Sequence, residues 1–317
     1  MTATVRECID VLSELYDPGW AESWDAVGLT VGDPGARIDQ VHFAVDPTVD
    51  VAAEAVAADA GLLVTHHPLF LRGVHSVAET SPAGKVVGML IRSGAALFTA
   101  HTNADVANPG VSDALAAAIG LVDVGPIRAH AGEAGRAGAP GPAGPTDPAG
   151  PTDLAGSGSG AGPVGCRGLG RLGILPEPES LAEFCTRVAG SLPATAGGVR
   201  ATGDPDRLVR RVAVCGGSGG ALVAGAAAAG ADVLVTADGR HHHTLDAVWA
   251  HNTAIVDVAH WASEWPWLAD AADRLRAGLT ARGRTVVTTV STRVTDPWRW
   301  HVPSSDGVTR VGGAYEG

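Results

Sequence analysis

The sequence predicts an α/β protein of two related halves, and three features predict it. Short apolar runs that suit strands alternate with Ala-rich or amphipathic stretches that suit helices along most of the chain. The stretch 41–68 (VHFAVDPTVDVAAEAVAADAGLLVTHHP) matches 211–239 (RVAVCGGSGGALVAGAAAAGADVLVTADG) in layout. Each reads as strand, small turn, Ala-rich helix, strand ending in Val-Thr, then a polar loop; two unrelated strand–helix–strand units are the alternative. Residues 128–163 contain the tandem copy PAGPTD-PAGPTD and almost no large apolar side chain, so burial there cannot offset ordering entropy. The expected organisation is therefore a half over 1–127, a disordered Pro/Gly/Ala-rich insertion over 128–163, and a half over 164–317.

The elements follow in order. Residues 4–16 form an amphipathic helix with Val5, Ile9, Leu12 and Leu15 on one face. A Gly/Asp/Trp-rich loop covers 18–34. Strand 41–45, helix 49–60 and strand 62–65 come next, then helix 85–93, strand 95–100 and helix 111–119. Beyond the insertion the pattern resumes with strand 169–175, helix 180–189, strand 209–215, helix 222–229 and strand 233–236. Helix 245–250, strand 254–258, helix 265–277 and strand 285–291 complete it.

With 317 residues, 45% of them hydrophobic, the chain has material for a real core. The net charge of −12, without a Lys/Arg run, disfavours a grip on a nucleic-acid backbone, which needs clustered cations. A nucleotide bound at a metal stays open, because the ion supplies the charge. Cys8, Cys166, Cys185 and Cys215 are widely spaced and form neither a zinc ribbon nor a disulfide framework. The N-terminus lacks a signal-peptide apolar core, and the longest apolar stretch, 220–231, is too short to span a bilayer. A cytoplasmic protein with no membrane contact is expected.

Three segments share a chemical design. His66 and His67 stand just past the strand ending LLVT. His101 follows ALFTA, with Asp105 four residues on, and His260 follows AIVDVA, with Glu264 four residues on. Ligands of open α/β sheets bind outside the carboxyl ends of strands, so these groups can meet in one crevice. A carboxylate four residues after a histidine shares its face when the segment enters a helix. One histidine after a strand is more often structural than a ligand, but three such segments of one type point to metal. Four imidazoles and two carboxylates suit Zn, Fe, Mn, Ni or Co rather than Ca or Mg. Six ligands are too many for one catalytic ion and reasonable for two divalent ions per subunit.

On these residues the chain resembles the NIF-three-like dinuclear-metal-centre proteins, many of them labelled GTP cyclohydrolase 1 type 2 homologues. The matching stretches are SWDAVGLTVGDP (23–34), VTHHPLFLRG (64–73), FTAHTNADVANPGVSDALAAAIGL (98–121), VAVCGGSGG (212–220), GADVLVTADGRHHHTLDA (230–247), VDVAHWASE (256–264) and STRVTDPW (291–298). The resemblance implies metal ligation by His66, His67, His101, Asp105, His260 and Glu264. It also implies two intertwined α/β domains with the dinuclear site between them, and a homohexamer. Ala26, Ala237, Ala259 and Trp261 depart from the usual family residues without removing a ligand.

The resemblance places His242 near the open face of the metal pair, a candidate for substrate contact or proton transfer. Asp238, just past a strand end, is a pocket candidate. His241 and His243 read equally as such contacts and as a solvated loop. CGGSGG (215–220) reads as a tight turn; a phosphate cradle is the alternative, without the Lys of a P-loop. Trp24 and Asp25 are expected to fix a loop, with Trp24 buried. Trp265, Trp267, Trp298 and Trp300 are expected in packing or subunit contacts. The leading function is metal-dependent hydrolysis, by the resemblance of GTP; a metal-binding or scaffold protein without turnover is the alternative.

Overall fold

The computed structural model describes residues 1–130, 162 and 165–302. Its strands are β1 (Gly28–Val31), β2 (Gln40–Ala44), β3 (Leu62–Thr65), β4 (Ala96–Thr99), β5 (Val122–Gly125), β6 (Arg171–Ser180), β7 (Arg200–Ala201), β8 (Leu208–Val214), β9 (Val233–Ala237), β10 (Ala254–Val258) and β11 (Val287–Val290). The first sheet has the order β11-β2-β3-β4-β1, parallel except for the antiparallel edge β1. The second has the order β7-β10-β9-β8-β6-β5, with β8, β9 and β10 parallel. Both strand–helix–strand units singled out in the sequence thus form parallel neighbours, β2 with β3 and β8 with β9.

These strands read as continuous apolar runs because both their faces are covered. In the first sheet Phe43, Val64 and Phe98 join one core, and Ala44, Leu63 and Leu97 join another on the opposite face. In the second, Val212, Val214, Val233 and Val235 lie on one side, with Ala213, Leu234 and Ile255 on the other.

The helices are α1 (Val5–Leu15), α2 (Val49–Ala57), α3 (Pro82–Ser93), α4 (Thr102–Val106), α5 (Val111–Ile119), α6 (Leu181–Ser191), α7 (Val223–Ala228), α8 (His241–Ala250), α9 (His260–Glu264) and α10 (Trp267–Ala281). A capping box between Thr4 and Glu7 starts α1, as its sequence suits. Helix α10 packs against α1 so closely that a Cβ on Gly278 would sit 2.6 Å from Val11.

The sequence division at the insertion does not coincide with the two sheets. β11, from the C-terminal half, adds to the first sheet beside β2, and α10 shares a core with α1. β5, from the N-terminal half, joins the second sheet beside β6. Each half therefore lends elements to the other, as the intertwined expectation requires. The insertion expected over 128–163 also begins later than that: Arg128–Ala129 pairs antiparallel with Gly168–Leu169, a ladder no local pattern announces. The rest of that segment, apart from His130 and Gly162, lies outside the described residues. No helix among the described residues is long and apolar enough to cross a membrane.

Candidate metal centre

The parallel strands of both sheets end at one crevice. His66 and His67 follow β3, and His101 follows β4 and opens α4, which carries Asp105. His260 and Glu264 are the first and last residues of α9, just past β10. The i, i+4 spacing has the expected effect: Glu264 Oε1 lies 2.8 Å from His260 Nε2.

The four imidazoles share one arrangement. His66 Nδ1 lies 2.9 Å from the Ala100 carbonyl oxygen, and His67 Nδ1 2.7 Å from Asp46 Oδ1. His101 Nδ1 lies 2.8 Å from Asp25 Oδ1, and His260 Nδ1 2.6 Å from Asp238 Oδ2. An acceptor at every Nδ1 fixes a proton there and turns Nε2 inward, which is how outer partners orient metal-binding histidines.

Inside, Glu264 is central and 3% exposed. Its Oε2 lies 3.2 Å from His67 Nε2, and its Oε1 lies 3.5 Å from His66 Nε2. Asp105 Oδ1 stands 3.8 Å from His66 Nε2. Two sets of potential ligands form, with donor atoms mutually within 4.8 Å: His66, His67 and His101, and His67, His260 and Glu264. His66 Nε2, Asp105 Oδ1 and Glu264 Oε2 are buried without a hydrogen-bond partner. Buried polar atoms are rarely left so, and three of them in one crevice fit bound cations.

The electrostatics agree. Burial pushes the His67 and His260 imidazoles down, but the Glu264 carboxylate and hydrogen bonds to Asp46 and Asp238 raise them to about 10 and about 11. Burial works against ionised Glu264, yet the charges of His67 and His260 hold it well below the usual carboxylate range. Burial keeps the Asp105 carboxyl high, with His66 and His101 opposing and Glu264 adding to it. Cys215 contributes no thiolate at neutral pH: burial, with Asp105 and Glu264 nearby, pushes its thiol up to about 12.

Other expectations fare variously. Asp238 meets His260 Nδ1 through Oδ2, while its side chain stays 56% exposed. His242 is exposed in the first turn of α8, and its ring meets that of His241, 5.2 Å away. Trp24 is not buried but 43% exposed, its ring edge-on to His101 at 5.9 Å, because Asp25 rather than Trp24 anchors that loop. Asp25 accepts from the Thr102 N–H and hydroxyl as well as meeting His101. Burial opposes its charge, but the His101 and Thr102 hydrogen bonds hold it far below the carboxylate range. Trp267 packs in the core, whereas Trp298 and Trp300 are exposed.

Sequence reasoning missed Asp46 and Gly217. Asp46 carried a signal, since it too is a carboxylate just past an apolar strand. Gly217 carried a weaker one within CGGSGG, which forms a tight turn against the crevice. Its φ is +68°, and its N–H donates to Ser263 Oγ at 2.9 Å. A Cβ there would lie 2.5 Å from Glu264 Oε1 and 3.0 Å from His260 Nε2. Gly217→Ala should therefore cost about 1–2 kcal/mol for the left-handed backbone alone, and displace Glu264 besides. Thermal unfolding and metal content check this, with Gly220→Ala, which meets open space, expected to leave both unchanged.

Comparison with known proteins then places the chain. The profile of the Duf34/NIF3 (NGG1p interacting factor 3) family matches residues 3–297. A Streptomyces coelicolor protein named GTP cyclohydrolase 1 type 2 homolog is 44% identical over 97% of this chain and 98% of its own length. A Mycobacterium leprae protein of the same name is 41% identical over 94% of this chain and 96% of its own. Among solved structures, a Bacillus cereus protein described as related to NIF3 superposes with a TM-score of 0.78 at 25% identity. That match covers 95% of this chain and all of the other.

Proposed function

Since this chain belongs to the Duf34/NIF3 family, we propose that it holds two divalent cations in this crevice and uses them to hydrolyse a small molecule, with GTP the first substrate to test. The observation that carries the reading is the convergence of four Nδ1-anchored imidazoles in one crevice, three of which, His66, His67 and His260, meet buried Glu264 at 3.5, 3.2 and 2.8 Å. His67 belongs to both ligand sets, but its Nδ1 is engaged and its Nε2 serves one ion only. A consistent division would assign His66, His101 and Asp105 to one ion and His67 and His260 to the other, with Glu264 available to both. The nitrogen-rich set suits Zn, Fe, Mn, Ni or Co.

Divalent ions in such a site supply Lewis acidity and lower the pKa of water. The chain's own residues do the remaining work. Ala100, Asp46, Asp25 and Asp238 hold the imidazole planes in place. Glu264 supplies the negative charge common to both positions. His242, exposed at the start of α8, is the proposed proton carrier toward substrate. The resemblance adds a homohexamer, and exposed Trp249, Trp298 and Trp300 offer apolar surface for subunit contacts.

The test is elemental analysis of untagged, anaerobically purified protein, followed by GTP turnover with the metal found. About two ions per chain, and GTP consumption that stops on chelation and resumes on reloading, are the expected results. GTP consumption that persists in stripped protein contradicts the mechanism. Full metal content with no turnover of nucleotides leaves a metal-binding protein without this activity.

A further inference from the structure

The segment that leaves α10 returns along the first sheet and clasps it at every second residue, the period at which an extended chain presents one face. Thr289 Oγ1 lies 2.7 Å from His42 Nδ1, and the Ser291 hydroxyl donates to Glu54 Oε2 at 2.7 Å. Arg293 Nε lies 3.3 Å from the same Glu54 oxygen. The Thr295 hydroxyl donates to Asp46 Oδ2. The next residue, Asp296, is 3% exposed, and burial together with the negative charges of Asp238 and Asp46 pushes its carboxyl up. The strap therefore ends against Asp46, the carboxylate that holds the His67 ring.

We propose that this strap governs one of the two metal positions, with Thr295 a positioning residue that acts through Asp46 on His67. The inference rests on the two-ion reading above. Asp46 divides its oxygens, Oδ1 to His67 Nδ1 and Oδ2 to the Thr295 hydroxyl, so the hydroxyl fixes the plane of the carboxylate that fixes the ring. The other position has no such dependence. His66 is held by a backbone carbonyl, and His101 by Asp25, whose second oxygen is held by Thr102 at the start of α4. Outer partners of metal-binding histidines typically set affinity by roughly 10- to 100-fold. Thr295 lies one step further out, so Thr295→Val is expected to weaken one ion by about tenfold and leave the other unchanged.

The experiment is a titration of full-length, chelator-stripped protein with Zn²⁺ against a competing chelator. Thr295→Val, Thr295→Ser and Asp25→Asn are compared with the parent. Thr295→Val should weaken one of the two ions, Thr295→Ser should restore it, and Asp25→Asn should weaken the other. An unchanged melting temperature of stripped Thr295→Val separates positioning from loss of fold. A second readout needs no metal: the Nδ1 proton resonance of His67, assigned by its loss in His67→Ala, should shift or exchange faster in Thr295→Val. Parental affinity for both ions in Thr295→Val, or an unmoved His67 resonance, overturns the inference. A parent that binds no Zn²⁺ overturns the two-ion reading, while the His67 resonance still decides whether the strap positions that ring.

Discussion

Glu264→Gln is expected to empty both metal positions, whereas His101→Ala should empty only one. The difference follows from where each side chain stands. Glu264 meets His66, His67 and His260 at 3.5, 3.2 and 2.8 Å, and among the described residues is the one carboxylate paired with imidazoles of both groups. His101 stands beside His66 and His67, with ring centroids 5.2 and 5.5 Å away, and its loss leaves the His67/His260/Glu264 set intact. Loss of an outer partner already costs roughly 10- to 100-fold in affinity, and loss of the shared ligand should exceed that at both positions. Stripped protein offers a second measure. Glu264 is there the buried counter-ion of protonated His67 and His260, and breaking a buried pair on one side costs about 3–5 kcal/mol. Urea unfolding of stripped Glu264→Gln should show a loss in that direction near neutral pH. The difference should shrink above the range in which the parental imidazoles lose their protons. Metal retained at parental stoichiometry in Glu264→Gln would remove Glu264 from the centre of the site.

The histidines proposed as ligands were legible because each stands just past an apolar strand, and strand ends are where open sheets place chemistry. His66, His101 and His260 could be aligned by that rule alone. Their partners were less so. Asp46 satisfies the same rule, but nothing local distinguishes a carboxylate that meets His67 from one that meets water. Gly217 was hidden in a chain rich in glycine, and its importance lies in how near Glu264 comes to it. Among the strands, β1 fell within a loop rich in Gly and Asp, and β5 is only Val122–Gly125, with an Asp at positive φ within it. The exchange of α10 and β11 into the first sheet depends on partners more than 200 residues away, such as the pairing of Val290 with Phe43. Periodicity marks an element but not its neighbour, so only the family resemblance carried the intertwining.

Metal uptake should release protons and strengthen steeply with pH. In the stripped chain His67 and His260 keep their protons to about pH 10 and 11, because Glu264, Asp46 and Asp238 outweigh the burial that opposes them. Both imidazoles must give up the Nε2 proton to bind a cation, so one ion entering at neutral pH should expel roughly two protons. Its affinity then rises by up to about a hundredfold per pH unit while both sites remain protonated in the free protein. Calorimetry in two buffers of different ionisation enthalpy counts those protons directly, and uptake without proton release would contradict the assignment. The stability of the stripped chain runs the other way. The folded imidazoles titrate above the ordinary histidine value of 6.5, so their contribution is fully present below that pH and lost as pH rises through 10 and 11. Depressed Glu264 contributes above its ordinary 4.5 and loses that contribution as pH falls through its folded value. Acid therefore favours the proton-filled crevice and alkali the metal-filled one. The same three side chains that would hold this ion, His67, His260 and Glu264, also hold the fold together without it, so chelation near neutral pH should strip metal while leaving the chain folded.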